Sequence, residues 1–373
     1  MEKQELGTPA ILLDLDILGR NLRRYQDACD RYGKQLWPMV KTHKSLEIAR
    51  MQADMGAKGF LCGTLDECEA LCGAGFHRMM YAYPVAGETA ILRVIALAAR
   101  CEFLIRLDCM DAVPQLHAAA QKIGVTVGYT IIVDSGFHRF GIAPECAADF
   151  ARQMEPYSAM RLRGISTHPG QVYGAAHTQE IAACAEAERT ALKTAAEGLR
   201  RAGYAPELVT TGATPTFVYA VEDAGIDVYH PGNYVFNDCI QISNGTASED
   251  DCALTVLATV ISHNAAEQFL CDAGAKCLGL DRGAHGNASI PGYGRVKGHP
   301  ELLVAALSEE VGKLTVTGET KLQVGDRIEI IPNHACSVAN LTSYYVGTRG
   351  TKVERLIRVD VRGNSKPLLN TTD

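Results

Sequence analysis

Several signatures are missing from this chain of 373 residues, and each absence removes a class of function. No run approaches the ~18 apolar residues that cross a bilayer, so no membrane partner is expected. No basic stripe offsets the net charge of −7, which argues against nucleic acid while leaving room for a local phosphate pocket. No GxGxxG turn follows the first strand, which weakens an open dinucleotide-binding sheet. Met1 to Ala10 offers neither the apolar core nor the cleavage site of a secretory leader. No CxxC pair occurs among the 13 cysteines, an odd and scattered set, and this fits reduced thiols in a cytoplasmic protein. Internal repeats and low-complexity segments are also lacking.

What is present is an ordinary globular composition, 47% hydrophobic and 21% charged, long enough for one large domain and a smaller one. The stretch that organises it is Trp37-Pro38-Met39-Val40-Lys41-Thr42-His43-Lys44. Leu36, Trp37, Met39 and Val40 read as a buried strand that ends in a lysine. A lysine at such a lip is held near low-dielectric surroundings, which favours the neutral amine and hence Schiff-base chemistry with carbonyl compounds. The plainer reading, a lysine snorkelling into solvent, fits this stretch alone equally well.

A rhythm follows. Strands are expected near 36–40, 59–62, 78–82, 102–107, 127–133, 162–166, 207–210 and 227–230, with helices at 45–55, 65–73, 87–99, 110–123, 143–154, 176–202 and 215–224. Eight strands alternating with helices imply parallel neighbours and a closed (β/α)8 barrel of the TIM type. After about Asp250 the pattern turns to β-branched and alternating runs at 254–262, 268–271, 312–317, 327–331, 343–346 and 353–361. The expected organisation is a barrel over 16–248, then a mostly antiparallel β domain over 249–373, with residues 1–15 joining the latter.

In such a barrel the chemistry gathers at the carboxyl ends of the strands. Strand one ends at Lys41, strand five at Asp134-Ser135-Gly136-Phe137-His138-Arg139-Phe140-Gly141, and strand six at Ser166-Thr167-His168-Pro169-Gly170-Gln171-Val172-Tyr173. Strands seven and eight run into Thr210-Thr211-Gly212-Ala213-Thr214-Pro215-Thr216 and Tyr229-His230-Pro231-Gly232-Asn233-Tyr234. These two small hydroxyl- and glycine-bearing loops suit a phosphate, although each alone is also an ordinary helix start. His168 or Arg139 alone would be a core histidine or a surface ion-pair partner. In the second domain, His334 and Cys336 on an extended chain would face the same way and offer an imidazole and a thiolate to one ion, zinc by preference. Two buried neighbours on one strand face is the default for a lone H-x-C.

Taken together, Val40-Lys41-Thr42-His43-Lys44, the Asp-Ser-Gly-x-x-Arg-x-Gly run, His168-Pro169-Gly170-x-x-Tyr173, Gly212-x-Thr214-Pro215-Thr216, His230-Pro231-Gly232-Asn233-Tyr234 and Pro332-Asn333-His334-x-Cys336 resemble the D-serine dehydratase / D-threonine aldolase family. These are fold-type III pyridoxal-phosphate enzymes related to alanine racemase in their barrel. The resemblance spans nearly the whole chain in the right order. It implies that Lys41 carries pyridoxal 5'-phosphate as a Schiff base. It places Arg139 against the pyridine nitrogen and His168 and Tyr173 near cofactor and substrate. Thr211, Gly212, Thr214, Gly232, Asn233 and Tyr234 would also line the cofactor, with Thr214, Gly232 and Asn233 at its phosphate. His334 and Cys336 would hold a catalytic divalent metal, zinc ahead of manganese or magnesium. A homodimer is implied as well.

The implied activity is that of a lyase on D-β-hydroxy-α-amino acids. A dehydratase acting on D-serine or 3-hydroxy-D-aspartate would release keto acid and ammonia. The alternative, a D-threonine aldolase, would break Cα–Cβ to give glycine and an aldehyde. Cys336 looks like the dehydratase branch, since aldolases of the family tend to carry Asp there, whereas Asn340-Leu341 is reminiscent of the aldolases. A racemase would need a second base and no metal, and a non-catalytic pyridoxal-phosphate carrier would have no use for the β domain.

Overall fold

The computed structural model describes residues 1–175, 177–265, 267–285, 288 and 290–363. Its contacts divide the chain into two compact units. One holds Ala28–Pro169, Ala183–Gly232 and Gly363; the other holds Met1–Asp27, Gly170–Ala182 and Asn233–Arg362.

The first unit is a parallel barrel, but its bounds differ from the expected 16–248, because residues 16–27, 170–182 and 233–248 group with the second unit. Its strands are β2 (Gln35–Leu36), β3 (Phe60–Cys62), β4 (Arg78–Tyr81), β5 (Glu102–Leu107), β6 (Val127–Ile132), β7 (Met160–Ser166), β8 (Leu208–Thr211) and β9 (Val228–Tyr229). Every pairing is parallel, in the order β2-β9-β8-β7-β6-β5-β4-β3. The circuit closes where Met39 bridges Leu61, with the Leu61 N–H on the Pro38 carbonyl at 2.9 Å. The first strand is shorter than expected because Pro38 has no N–H to give to a ladder. Trp37, Met39, Leu61, Met80, Leu104 and Val228 pack together as one buried cluster. Between the strands run α2 (Leu46–Met55), α3 (Leu65–Gly73), α4 (Glu88–Ala98), α5 (Val113–Ile123) and α6 (Ala147–Met154), then α7 (Thr178–Arg201) and α8 (Thr214–Ala220). Side-chain caps start two of them: Ser45 accepts from the Ile48 N–H and Thr64 from the Glu67 N–H.

The second unit carries a nine-stranded sheet. Its strands are β1 (Ala10–Asp14), β10 (Leu254–Ala265), β11 (Gln268–Cys271), β12 (Gly294–Val296), β13 (Leu302–Leu307), β14 (Gly312–Val316), β15 (Arg327–Pro332), β16 (Tyr344–Arg349) and β17 (Lys352–Arg358). The order is β11-β14-β13-β12-β15-β10-β1-β16-β17, and β11 also pairs with β10, so six strands close on themselves. All pairings are antiparallel except β1 with β16. Strands β12 and β13 were not expected. The first is three residues long, and the apolar run 302–307 has no turn-bounded alternation to mark it. Among the described residues no helix is long and apolar enough to cross a membrane.

Candidate active site

Lys41 sits on a single 3-10 turn, Val40–Thr42, just past the closing bridge of the barrel. Its Nζ lies 3.4 Å from the Tyr83 hydroxyl and, among the described residues, meets no carboxylate. Three residues on, Lys44 is in the opposite situation. Its Nζ pairs with the fully buried Glu67 at 3.1 Å and donates to the Gly363 carbonyl at 2.8 Å. Lys44 is thus committed to the fold, whereas Lys41 is held by no such ion pair among the described residues.

The loop after β6 is folded by its own aspartate. Asp134 Oδ1 accepts from the Gly136 and His138 N–H groups at 2.9 and 3.1 Å, and Oδ2 meets His138 Nδ1 at 2.6 Å. Burial would raise the Asp134 pKa, but these hydrogen bonds outweigh it and hold the carboxyl below its ordinary value. Asp134 is therefore unavailable to Arg139, whose guanidinium lies 4.7, 5.4 and 5.9 Å from the rings of Phe137, Phe140 and Tyr83. Partial burial lowers the Arg139 pKa, with Tyr83 opposing. No carboxylate pairs with it among the described residues.

Arg139 shares a small cavity with Arg106, Ala82, Ser135, Phe137 and His168. Arg106, on β5, is 4% exposed, and desolvation pushes its pKa down to about 10, so it remains a cation. His168 Nδ1 is 2.6 Å from the Gly212 carbonyl. A carbonyl only accepts, so Nδ1 carries a proton; in the neutral ring Nε2 then holds the lone pair that a base requires. His230 donates Nδ1–H to the Trp37 carbonyl at 2.9 Å, and burial, aided by Arg106, pushes its pKa down to about 3. It is a neutral core imidazole.

The loops after β8 and β9 explain their glycines by close approach. A Cβ on Gly212 would stand 2.5 Å from the His230 backbone, and one on Gly232 would stand 2.7 Å from Thr42 Oγ1 beside Lys41. Ala213, at the start of α8, gives no side-chain cap, so the loop's own N–H groups are not spent there. Thr214 is buried beside them, whereas the Thr211 hydroxyl points under the loop and donates to Glu188 on α7. Glu188 is fully buried, and desolvation pushes its pKa up to about 7 despite hydrogen bonds from Thr211 and Thr216.

The remaining expected residues lie in the other unit. His334 is the extended residue preceding α11 (Ala335–Ala339), and Cys336 is on that helix. The extended H-x-C segment is thereby corrected, because the chain turns helical one residue after His334. The two side chains still meet. Burial would lower the His334 pKa, but the hydrogen bond to Cys336, its charge, and then Asp238 and Asp281 lift it to about 9. Asn233 Nδ2 reaches Cys336 Sγ at 3.7 Å and Asp238 Oδ2 at 2.6 Å, and Asp238 also accepts from the Ala335 N–H at 2.9 Å. Asp281 Oδ2 lies 3.8 Å from His334 Nδ1. No group of three or more His, Cys, Asp or Glu is arranged to hold a metal among the described residues, which leaves His334 and Cys336 as a two-ligand pair. Tyr173 packs edge-on to His285 with ring centroids 5.0 Å apart. Tyr234 is a core residue, 0% exposed, with its ring 4.3 Å from Tyr25.

Tyr83, Arg106, Glu188 and Asp238 were not singled out in the sequence. Of these, Arg106 left a signal: a lone charge inside the apolar run of β5, where strands of a barrel bury one face in its interior.

Comparison with known proteins matches two families in succession along the chain. Residues 13–238 match the alanine racemase N-terminal domain family, and residues 253–348 match a putative serine dehydratase domain. The D-threo-3-hydroxyaspartate dehydratase of Delftia sp. (strain HT23) is 33% identical over 349 residues, 89% of this chain and 91% of that protein. The crystal structure of D-threonine aldolase from Filomicrobium marinum superposes with a TM-score of 0.88 at 26% identity, covering 96% of each chain. A cysteine-to-alanine variant of D-threo-3-hydroxyaspartate dehydratase, solved in the metal-free form, gives 0.89 at 31% identity over 96% of this chain and 99% of that one. A histidine-to-alanine variant of that enzyme, altered two positions earlier, has also been solved.

Proposed function

Because the chain belongs to the D-serine dehydratase / D-threonine aldolase family of pyridoxal-phosphate-dependent lyases, we propose that it is a dehydratase of D-β-hydroxy-α-amino acids. D-serine would give pyruvate and ammonium, the α-proton and β-hydroxyl leaving as water and water returning when the resulting enamine, as its imine tautomer, is hydrolysed; 3-hydroxy-D-aspartate would give oxaloacetate and ammonium. The observation that carries the reading is the contrast between Lys44, locked to Glu67 and Gly363, and Lys41, with no carboxylate partner among the described residues.

The residues present fit both groups the family implies. Lys41 and Arg139 have no acidic partner among the described residues, which suits an aldehyde-bearing, anionic cofactor. An imidazole hydrogen-bonded to a thiol is a donor pair for a soft divalent ion, zinc ahead of manganese or magnesium. Pyridoxal phosphate at Lys41 supplies an electron sink for the α-carbon, and a metal at His334 and Cys336 supplies a Lewis acid for the β-oxygen. The chain's own groups do the rest. Lys41 Nζ takes the α-proton. Arg139, which holds its protons at any working pH, donates to the pyridine nitrogen and keeps it unprotonated. The N–H groups around Gly212, Ala213 and Thr214, with Gly232 and Asn233, bind phosphate oxygens. Tyr173 orients cofactor and substrate.

A retro-aldol reading is favoured by one observation, the Nε2 lone pair of His168, which is set by the Gly212 carbonyl and suits removal of a β-hydroxyl proton. The Cys336 thiol favours dehydration, and the same His-x-Cys spacing marks the altered positions of the D-threo-3-hydroxyaspartate dehydratase variants. Product analysis on D-serine, 3-hydroxy-D-aspartate and D-threonine decides. Keto acid and ammonia are expected; glycine and acetaldehyde from D-threonine, faster than ammonia from D-serine, would make the enzyme an aldolase. The reading includes a cytoplasmic homodimer, and a fully active monomer in sedimentation would count against it.

A further inference from the structure

Arg106 is not accounted for by the reaction above. It lies next to the carboxyl end of β5, in a run otherwise made of Phe103, Leu104, Ile105 and Leu107. Its Nε has only the Met80 sulfur, at 3.2 Å, and its Nη2 is buried with no hydrogen-bond partner among the described residues. The charged and titratable groups that face it are Tyr83, Arg139 and His230. Arg139 repels it. His230 is neutral, and its own Nε2 is also buried without a partner. Asp134, on the same cavity, has its oxygens occupied by Gly136 and His138. A desolvated guanidinium without a counter-ion is among the most unfavourable arrangements a core can hold, and it persists where something from outside supplies the missing charge.

The cavity that Arg106 shares with Arg139 and His168 is where that charge would enter. The cofactor's phosphate is an unsuitable source. The reading assigns it to the loops after β8 and β9, and no residue of those loops lines this cavity. The other anion every candidate substrate brings is a carboxylate, and a guanidinium matches its two oxygens in a fork.

We propose that Arg106 is the carboxylate anchor of the substrate. The inference rests on the functional reading for the identity of the substrate, though not for the presence of an anion subsite. Two sources share this chemistry: the α-carboxylate of any amino acid, and the side-chain carboxylate of 3-hydroxy-D-aspartate.

The test uses the holoenzyme and the variants Arg106→Met and Arg106→Lys. Propionate and succinate serve as unreactive probes, titrated by calorimetry, with inorganic phosphate as the control anion. Arg106→Met should weaken carboxylate binding by at least about 30-fold, as removal of one partner of a buried charge pair does. KM should rise more than kcat falls, and Arg106→Lys should recover part of the loss. Without substrate, Arg106→Met should melt at a higher temperature than the parent, because it removes an uncompensated buried charge. A purely structural arginine would lower it. If KM rises for D-serine and 3-hydroxy-D-aspartate alike, the anchor holds the α-carboxylate; if it rises for the dicarboxylate alone, it holds the side chain. A folded Arg106→Met protein that binds succinate and propionate as the parent does overturns the inference. Should the parent turn over neither substrate yet bind the probes through Arg106, the functional reading fails while the subsite stands.

Discussion

In the barrel, Lys41, Arg106 and Arg139 stand without a carboxylate among the described residues, and the nearby aspartate is spent on its own loop. In the β unit, His334 is surrounded by Cys336, Asp238 and Asp281, and its pKa is lifted to about 9. The barrel pocket is short of negative charge. Around Cys336 these neighbours favour the protonated form of His334, while burial raises the Asp238 pKa and favours its neutral form. A pocket of the first kind awaits an anion such as a carboxylate. One of the second kind awaits a cation, and a metal entering there must displace that proton. The fold prepares two opposite deficits, and each names its ligand by sign.

The largest test is at the two lysines. Lys41→Ala should lower turnover by at least about 10³-fold and leave no adduct when borohydride is added to the cofactor-loaded protein. Lys44→Ala should keep the adduct on Lys41 but cost about 3–5 kcal/mol of stability, since Glu67 is left buried and unpaired. Peptide mapping of the adduct to Lys44 would end the distinction drawn here. At the acidic corner, His334→Ala and Cys336→Ala should each abolish binding of one divalent ion per chain and cut turnover by roughly 10²–10³-fold. Cofactor absorbance should stay unchanged, as it should on chelation; loss of the colour with the metal would show that the two deficits are not independent. Arg139→Glu reverses the sign at the pocket. It should let the pyridine nitrogen protonate, slow dehydration by about 10- to 100-fold, and open racemisation or transamination as side reactions measurable by chiral chromatography. An unchanged product spectrum would remove Arg139 from the ring.

The smallest expected effect is at Glu188, a buried acid under a loop read as a phosphate site. Its folded pKa, about 7, exceeds the ordinary 4.5, so the folded state binds more protons than the unfolded one between those values. Stability from this group is greatest below pH 4.5 and is lost as pH rises towards 7. Glu188→Gln should therefore melt higher than the parent at pH 8, by an amount worth up to a few kcal/mol, and the gap should close towards pH 5. A gap that widens on acidification would reverse the assignment.

The barrel was legible because each of its strands is a short apolar run between helical segments, a pattern that neighbouring contacts reinforce. The β unit was less so. Residues 294–296 are too few to show a period, and 302–307 are apolar throughout, which suits helix and strand alike. His334 and Cys336 were visible as residue types, but the helix start between them was not, since Ala335-Cys336-Ser337 carries no capping signal. Glu188 hides in an Ala- and Glu-rich helix where any acidic residue reads as solvated face. Its burial is set by Thr211 and Thr216, which are distant in sequence and close only after folding.

The barrel also contains the chain's single tryptophan, four residues before Lys41. Trp37 is 1% exposed, its indole N–H bound to Gln35 Oε1 at 3.0 Å and its ring 6.1 Å from His230. All indole emission from this protein therefore comes from one dry spot, four residues before Lys41. The folded barrel should fluoresce to the blue of free tryptophan, and the light should redden when this unit melts, whatever the β unit does. A chromophore seated on Lys41 would absorb part of that emission, so its dimming counts occupied sites directly. The protein has a lamp wired to one of its two halves, and needs no label to show when that half is filled or lost.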